Sequence, residues 1–187
     1  MKTLFLAIAV FMSGIAFAQK STSKNDVAGS RRIFFGELGG PGVIFSVNFD
    51  SRFTKSNTGF GGRIGLGFLT QEETITSNGG YNTYRQRSIF TIPLQLNYVI
   101  GKPNSSHLIE VGAGATFFGK EISLYNFFQG NYNSDPNEPK SIVAGTASFM
   151  YRKIAKNGGF FWHGGFTPYF INGYIQPMVG AGIGYGF

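Results

Sequence analysis

Residues 60–68 read Phe-Gly-Gly-Arg-Ile-Gly-Leu-Gly-Phe, and this stretch decides the fold. Apart from Gly62, its even positions hold bulky apolar side chains, while its odd positions hold glycine or Arg63. Successive side chains of a β-strand point to opposite faces of the sheet. The stretch therefore predicts a strand with one bulky apolar face and one face of small or charged residues.

Six further stretches show the same period of two. They cover residues 45–50, 90–100, 109–117, 145–152, 160–170 and 175–187. Most hold about ten residues, the length that a tilted strand needs to cross a bilayer. The pattern predicts an all-β chain with the architecture of an antiparallel up-and-down barrel.

The volume of the barrel interior decides which face of each strand points inward. An eight-stranded barrel has an interior just wide enough for its own side chains or one small ligand. The aromatic and branched residues of every strand cannot all fit there, whereas glycine, threonine, serine and isolated charges can. The apolar face is therefore predicted to contact lipid, in a transmembrane β-barrel. A soluble secreted lipocalin-like barrel, with its apolar face around an apolar ligand, is the first alternative.

Short and long connections alternate along the chain. Short turns are expected at 54–57, 102–106 and 153–158, and long loops at 71–87 and 119–140. Outer-membrane barrels have short periplasmic turns, long outer loops and an even number of strands. Seven strands are evident, so an eighth is expected at 31–38, joined to the next through the glycine-rich residues 39–42.

This eighth strand leaves two questions open. Residues 31–50 could instead form a single long bent strand that passes through the glycine cluster. Its facing is also ambiguous, because Phe34 and Leu38 compete with Ile33 and Phe35 for the lipid side.

The N-terminus predicts the compartment. Lys2, an apolar run and the small-x-small site Ala16-Phe17-Ala18 have the layout of a secretory signal peptide over residues 1–18. Polar residues 19–30 are expected to form a flexible periplasmic segment, and 31–187 the outer-membrane barrel domain. The 187 residues suit a single domain and include no cysteine, which excludes disulfides, Cys-based zinc sites and thiol chemistry.

The formal net charge of +7 raises the question of nucleic-acid binding. Basic residues lie in the expected short turns, at Lys55, Lys102, Lys153 and Lys156, and near the N-terminus. They form neither a stripe nor a recognisable module, so no nucleic acid is expected as a partner. Attraction to anionic lipid headgroups accounts for them.

Seven ionisable residues are expected on the inner face. They are Glu37, Asp50, Arg52, Arg63, Glu110, Arg152 and His163. Buried charges must be paired, so these residues are expected to form a polar network that fills the lumen. A proton or solute path is the alternative. Two histidines provide too few ligands for a metal site, and no cofactor is expected.

Ser148, His163 and Glu110 are the residue types of an acyl-transfer triad. Counting outward from the turns places Ser148 opposite His163 on neighbouring strands, with Glu110 near Ser148 on its other side. In a working triad the histidine lies between nucleophile and acid, whereas here the serine does. No catalytic residue is therefore assigned, and the chain is predicted not to be an enzyme. A lipid-modifying barrel enzyme is the second alternative.

Several stretches carry a resemblance to a known group of proteins. Residues 37–40, 46–50, 91–94, 158–161, 166–168 and 182–187 resemble small outer-membrane β-barrel proteins common in Bacteroidetes, most of them uncharacterised. The resemblance implies this fold and an outer-membrane location. Phe187, with Tyr185 two positions before it, resembles the signal that the barrel-assembly machinery reads, which implies that machinery as a partner during biogenesis.

The expected function is that of an integral outer-membrane β-barrel protein with a narrow or plugged lumen. Its role is expected to be structural, or recognition through aromatic-rich outer loops that follow Leu69 and Phe118. Outer-membrane lipids, and an extracellular ligand at those loops, are the expected partners. The sequence identifies neither that ligand nor an oligomeric state.

Overall fold

β-Strands make up most of the described chain. The computed structural model describes residues 30–76, 82–122, 141–156, 158–171 and 173–187. Within these ranges lie β1 (Arg32–Gly39), a 3-10 helix (Gly40–Gly42), β2 (Phe45–Arg52), β3 (Gly59–Thr76), β4 (Asn82–Ile100), β5 (His107–Ile122), β6 (Ser141–Ile154), β7 (Gly159–Phe166), β8 (Tyr169–Ile171), β9 (Tyr174–Gln176) and β10 (Val179–Gly186). No helix in these ranges is long and apolar enough to cross a membrane. The predicted signal peptide, residues 19–29 and the predicted loop residues 123–140 lie outside the described residues.

The sheet closes on itself. Strands β1 to β7 pair antiparallel in chain order, β7 pairs with β10, and β10 pairs with β1. At the seam, the Arg32 N–H donates to the Phe187 carbonyl at 3.1 Å, and the Phe187 N–H donates to the Arg32 carbonyl at 2.8 Å. The predicted eight-stranded antiparallel barrel is therefore confirmed.

The two ends of the barrel differ. One end, called the turn end, carries residues 53–58 and 101–106 and the connection from β6 to β7. The other end, called the ribbon end, carries the β3–β4 hairpin, and the outer part of this hairpin (residues 70–76 and 82–88) is called the ribbon. The short strands β8 and β9 extend the wall at the ribbon end, where β8 pairs with β6 and β9 pairs with β8. They continue β7 and β10 across breaks at residues 167–168 and 177–178.

Bulky apolar side chains cover the outside of the barrel. Phe60, Leu94 and Phe166 are 64%, 39% and 43% exposed, whereas Arg63 and Gln95 are 2% and 4% exposed. A lipocalin-like barrel needs the opposite arrangement, so that alternative is wrong. The outward face is the one predicted from the volume of the interior.

β1 settles both questions about the eighth strand. It is a separate strand, paired with β2 on one side and with β10 on the other. Ile33, Phe35 and Glu37 are buried inside the barrel, while Phe34 and Leu38 are exposed on its outer surface.

The connection between β1 and β2 folds into the barrel instead of forming a simple turn. The side chains of Thr91, Thr116 and Tyr169 donate hydrogen bonds to the carbonyls of Gly42 (3.0 Å), Pro41 (2.6 Å) and Gly40 (2.9 Å). Val43 is fully buried in an apolar cluster with Leu69, Ile89, Phe118, Ile122, Ala144, Tyr169 and Ile171. Residues 40–43 therefore form a plug in the ribbon end of the lumen.

The predicted loop at 71–87 is wrong over most of its length. β3 continues to Thr76 and β4 begins at Asn82, with pairs that run from Gln71–Arg87 to Thr76–Asn82. The neighbouring strands leave this hairpin earlier, at the pairs Phe45–Phe68 and Thr91–Phe118. Residues 71–76 and 82–87 are mostly polar, so the alternation of apolar and small residues that marks the other strands is missing from them. β5 likewise extends to Ile122, into the loop predicted at 119–140.

Entry to the plug depends on a glycine at position 39. Gly39 has φ +69° and ψ −145°, and a Cβ there would lie 2.2 Å from the Val179 carbonyl oxygen. Gly173 is a matched control, because it has φ +84° but an added Cβ would have no neighbour within 4 Å.

We expect both Gly39→Ala and Gly173→Ala to lower the free energy of unfolding by about 1–3 kcal/mol through backbone strain. Gly39→Ala should cost about 1–3 kcal/mol more, because of its clash with β10. Guanidinium unfolding in detergent, followed by the fluorescence of Trp162, the single tryptophan, measures the difference. Equal losses for the two variants would contradict the close packing at Gly39.

Candidate functional site

The lumen is filled in three layers. At the turn end lies an apolar layer of Ile33, Phe35, Val99, Leu108, Ile154 and Phe161. At the ribbon end lie the plug and its apolar cluster. Between them lies a layer of ionised and amide side chains, which is the candidate site.

Two arginines and two carboxylates form the centre of this ionic layer. Arg63 Nη2 lies 2.6 Å from Glu110 Oε1, and Arg152 Nη1 lies 3.0 Å from Glu110 Oε2. Asp50 lies 3.4 Å from Arg152 and 3.8 Å from Arg63. All four side chains are almost fully buried. Each carboxylate therefore meets two guanidinium groups, which compensates for its removal from water.

Arg52 joins the layer from the side of the turn end. Its Nη2 lies 2.6 Å from Asp50 Oδ1 and contacts Asn97 Oδ1, while its Nη1 donates to the Gly59 carbonyl at 3.0 Å. Three arginines and the carboxylates of Asp50, Glu110 and Glu37 thus lie inside the barrel. Their formal charges sum to zero when His163 is neutral.

His163 and Glu37 form a second pair next to the plug. His163 Nε2 lies 3.1 Å from Glu37 Oε1, and Asn48 Nδ2 donates to Glu37 Oε2 at 3.4 Å. The imidazole packs edge-on against Phe35, with ring centroids 4.7 Å apart. A Cβ added at Gly40 would lie 2.6 Å from Glu37 Cδ, so the carboxylate packs directly against the plug.

The apolar layer at the turn end also contacts the charges. The Arg63 guanidinium lies 5.0 Å from the centroid of Phe35, and that of Arg152 lies 5.2 Å from the centroid of Phe161. Cations at this distance are attracted to the face of an aromatic ring. The rings of Phe35 and Phe161 therefore cover the two arginines on the side of the turn end.

The structure thus brings all seven predicted lumen residues inside the barrel, and it joins them through amide side chains that were not predicted. Asn97 Nδ2 donates to Asp50 Oδ2 at 2.7 Å, and Gln95 Nε2 donates to Thr146 Oγ1 at 3.2 Å. Asn48, Gln95 and Asn97 all occupy inward positions of the alternation, and this position was the signal that could have identified them.

The predicted register of Ser148 and His163 is wrong. His163 pairs with Arg152, and Ser148 pairs with Gly112 of β5. The reason is that β6 and β7 stay paired up to Ile154 and Phe161, so their turn lies later in the chain than expected. Glu110 pairs with Met150 and is held by two arginines. The arrangement gives no serine–histidine pair on which an acyl-transfer site would depend.

The two residues of the predicted assembly signal lie on the outer surface of the barrel. Tyr185 and Phe187 are each 48% exposed on the outer surface, and the backbone of Phe187 closes the barrel. That the barrel-assembly machinery recognises these two residues stays a prediction.

Within the described residues, no group of three or more His, Cys, Asp or Glu side chains could hold a metal ion.

Comparison with solved structures identifies the fold class. The N-terminal β-barrel domain of OprF from Pseudomonas aeruginosa is similar over 85% of this chain and 99% of its own, with 14% identity and a TM-score of 0.50. Ail, the attachment invasion locus protein of Yersinia pestis, solved with the heparin analogue sucrose octasulfate, is similar over 86% of this chain and 99% of its own, with 12% identity and a TM-score of 0.41. No protein-family model and no curated protein matches the sequence.

The chain has the outer-membrane β-barrel fold. Its closed wall leaves no unpaired edge in hydrocarbon, and its outer surface is apolar. These two properties make it an integral β-barrel protein of the outer membrane. The resemblance to barrels of Bacteroidetes stays a prediction.

The ionic layer predicts a specific pattern of stability. Arg63→Met should lower the free energy of unfolding by about 3–5 kcal/mol, because it leaves Glu110 and Asp50 short of a buried partner. The double variant Arg63→Met with Glu110→Leu should lose less than the single one, because it removes a whole pair. Arg32→Met is the control, since Arg32 is exposed.

Guanidinium unfolding in detergent measures all three variants. A loss for Arg63→Met as small as that for Arg32→Met, or a double variant less stable than the single one, would contradict a compensated ion network.

Proposed function

We propose that the chain is a sealed, non-enzymatic outer-membrane barrel that anchors its ribbon outside the cell. The observation that carries this proposal is the filled lumen, in which one apolar layer lies on each side of the ionic layer. A role in passage of solutes would need a continuous bore. A structural role, or recognition at the outer end, needs only a stable wall.

The three layers oppose passage for different physical reasons. An ion that crosses the apolar layers would lose its water without gaining polar partners. A solute that crosses the ionic layer would have to separate Glu110 from both Arg63 and Arg152. The interior of eight strands offers no second route around these side chains.

We infer that the turn end faces the periplasm and the ribbon end faces the cell exterior. Outer-membrane barrels place short turns in the periplasm and long hairpins outside. The turns at 53–58 and 101–106 are short, whereas β3 and β4 extend beyond both neighbouring strands. In this orientation the C-terminal Phe187 is periplasmic, as a signal for the assembly machinery requires.

The ribbon is the element that favours recognition. Among the described residues, its two strands pair only with each other beyond the pair Leu69–Ile89. Beyond that pair, the outer edges of β3 and β4 carry no other strand of the described residues, and an extended peptide can add to such an edge as a further strand. Under this proposal, a ligand outside the cell binds the ribbon and leaves the lumen unchanged.

The orientation can be tested with single cysteines, since the chain has none of its own. Gln86→Cys places a thiol on the exposed outer part of β4, and Lys102→Cys places one in an exposed short turn. In intact cells, a membrane-impermeant maleimide should label position 86 at once, and position 102 only after the outer membrane is permeabilised. Labelling in the reverse order would overturn the orientation.

Sealing can be tested in planar bilayers. The native protein should give no conductance steps, because all three layers block the bore. A variant in which Asn-Gly replaces residues 40–43 should also give none, since the ionic layer and the layer at the turn end remain. An open porin reconstituted in the same way is the control for detection, and folded protein recovered from the bilayer lipid is the control for insertion. Steady steps from the native protein would overturn the sealed lumen.

A further inference from the structure

Four outward side chains meet at the turn end of β5, β6 and β7. Lys153 lies in register between His107 and Trp162, so the Cβ atoms of neighbours are about 5 Å apart. The Tyr151 hydroxyl is hydrogen-bonded to His107 Nδ1, and the Tyr151 ring lies 5.2 Å from that of Trp162. All four side chains are exposed. We call His107, Tyr151, Lys153 and Trp162 the headgroup cluster.

The cluster combines the Lys153 cation with His107 and with amphipathic aromatic rings. Tyrosine and tryptophan favour the depth of the lipid headgroups, so Tyr151 and Trp162 place Lys153 at that depth. The Lys153 ammonium donates hydrogen bonds, and His107 donates through Nε2–H in the tautomer whose Nδ1 accepts from the Tyr151 hydroxyl. A phosphate group is the ligand that suits these donors.

The surroundings of the cluster carry positive charge alone. Among the described residues, the exposed charged side chains at the turn end are Arg31, Arg32, Lys55, Lys102, Lys153 and Lys156. Glu110, the acidic residue nearest to His107 in sequence, is fully buried in the lumen. Among these described side chains, the ammonium group of a zwitterionic lipid finds no carboxylate, whereas an anionic headgroup meets basic groups.

A short strip of small side chains lies on the ribbon side of the cluster, separated from it by one row in which Val111 of β5 pairs with the exposed Phe149 of β6. On β5 and β6, Ala113 pairs with Ala147 and Ala115 pairs with Gly145. Leu94 and Leu96 of β4 border the strip in the same two rows. Small residues between larger ones leave a shallow groove on a surface that contacts hydrocarbon.

The distance from the headgroup cluster to the far end of this strip matches one leaflet. Tyr151 and Gly145 are six positions apart (151 − 145), or about 20 Å along a strand. With a strand tilt of about 45°, this is about 14 Å along the membrane normal. Half of the hydrocarbon core is about 15 Å. One acyl chain that starts at the headgroup cluster therefore passes the row of Val111 and Phe149, and reaches the middle of the membrane at the strip.

We propose that this face is a binding site for an anionic phospholipid of the periplasmic leaflet. Lys153 and His107 bind its phosphate, Tyr151 and Trp162 contact its glycerol region, and one acyl chain lies along Ala113, Ala147 and Gly145. The inference rests on the proposed orientation of the barrel in the membrane. It goes beyond general attraction to a basic surface, because it assigns one face of the barrel.

The single tryptophan reports directly on this site. The protein is reconstituted in vesicles of phosphatidylcholine that contain either brominated phosphatidylglycerol or brominated phosphatidylcholine, and bromine quenches a tryptophan that it contacts. Trp162 should prefer the phosphatidylglycerol by about fivefold, the effect of one cation near a charged membrane surface. Lys153→Gln should abolish most of the preference. Lys55→Gln, which removes an exposed turn lysine between β2 and β3, should leave it unchanged.

The other outcomes distinguish failure of the lipid site from failure of the membrane embedding. Equal quenching by the two lipids, or an equal loss of preference in both lysine variants, overturns the site. Loss of the preference when free glycerol phosphate is added assigns a simple anion site and overturns the lipid. Absence of quenching by either lipid contradicts the proposed membrane embedding itself, so the two proposals fail in different ways.

Discussion

Closure of the sheet between β1 and β10 is the constraint on which the rest of the structure depends. In hydrocarbon, each unpaired backbone group costs several kcal/mol, and the hydrogen bonds between Arg32 and Phe187 complete the ring that removes this cost. A ring of eight strands has a narrow interior. Each strand must therefore place its bulky side chains outside and its small ones inside. The exposure of Phe60 and the burial of Arg63 are two results of the same closure.

A narrow interior does not by itself require charges, so the ionic layer needs its own explanation. Buried ion pairs contribute little net stability, because desolvation offsets most of their attraction. They do impose a condition on register, since a slip of one residue would move Arg63 from Glu110 into the lipid. Glycine at positions 61, 65 and 67 gives β3 no inward side chain there, and side chains of other strands, such as Arg52 and Asn48, occupy the space. We infer that the ion network contributes chiefly to the choice of one strand register.

The sequence predictions are correct where residues alternate between apolar and small or polar types, and they fail where this alternation is absent. The alternation depends on one face contacting lipid, so it identified the wall and the inward positions of Arg63 and Glu110. It disappears in the ribbon, where most residues of both strands are polar, and there the predicted loop was wrong. Glycine and proline at residues 39–42 predict only that the chain turns, and not that Thr91, Thr116 and Tyr169 hold that turn inside the barrel. The position of a turn fixes a register, so an error there displaced Ser148 from His163.

The filled lumen moves the question of function to the surfaces outside it. The wall interacts with lipid, and the turn end has a basic, aromatic surface suited to headgroups. Neither surface accounts for the ribbon, whose strands beyond Leu69 and Ile89 pair with no neighbour in the wall. A segment that adds no pairing to the barrel contributes little to its stability, and ordering it in water costs conformational entropy. The physical argument for a function outside the cell is therefore the ribbon, because contacts with a ligand would offset that cost.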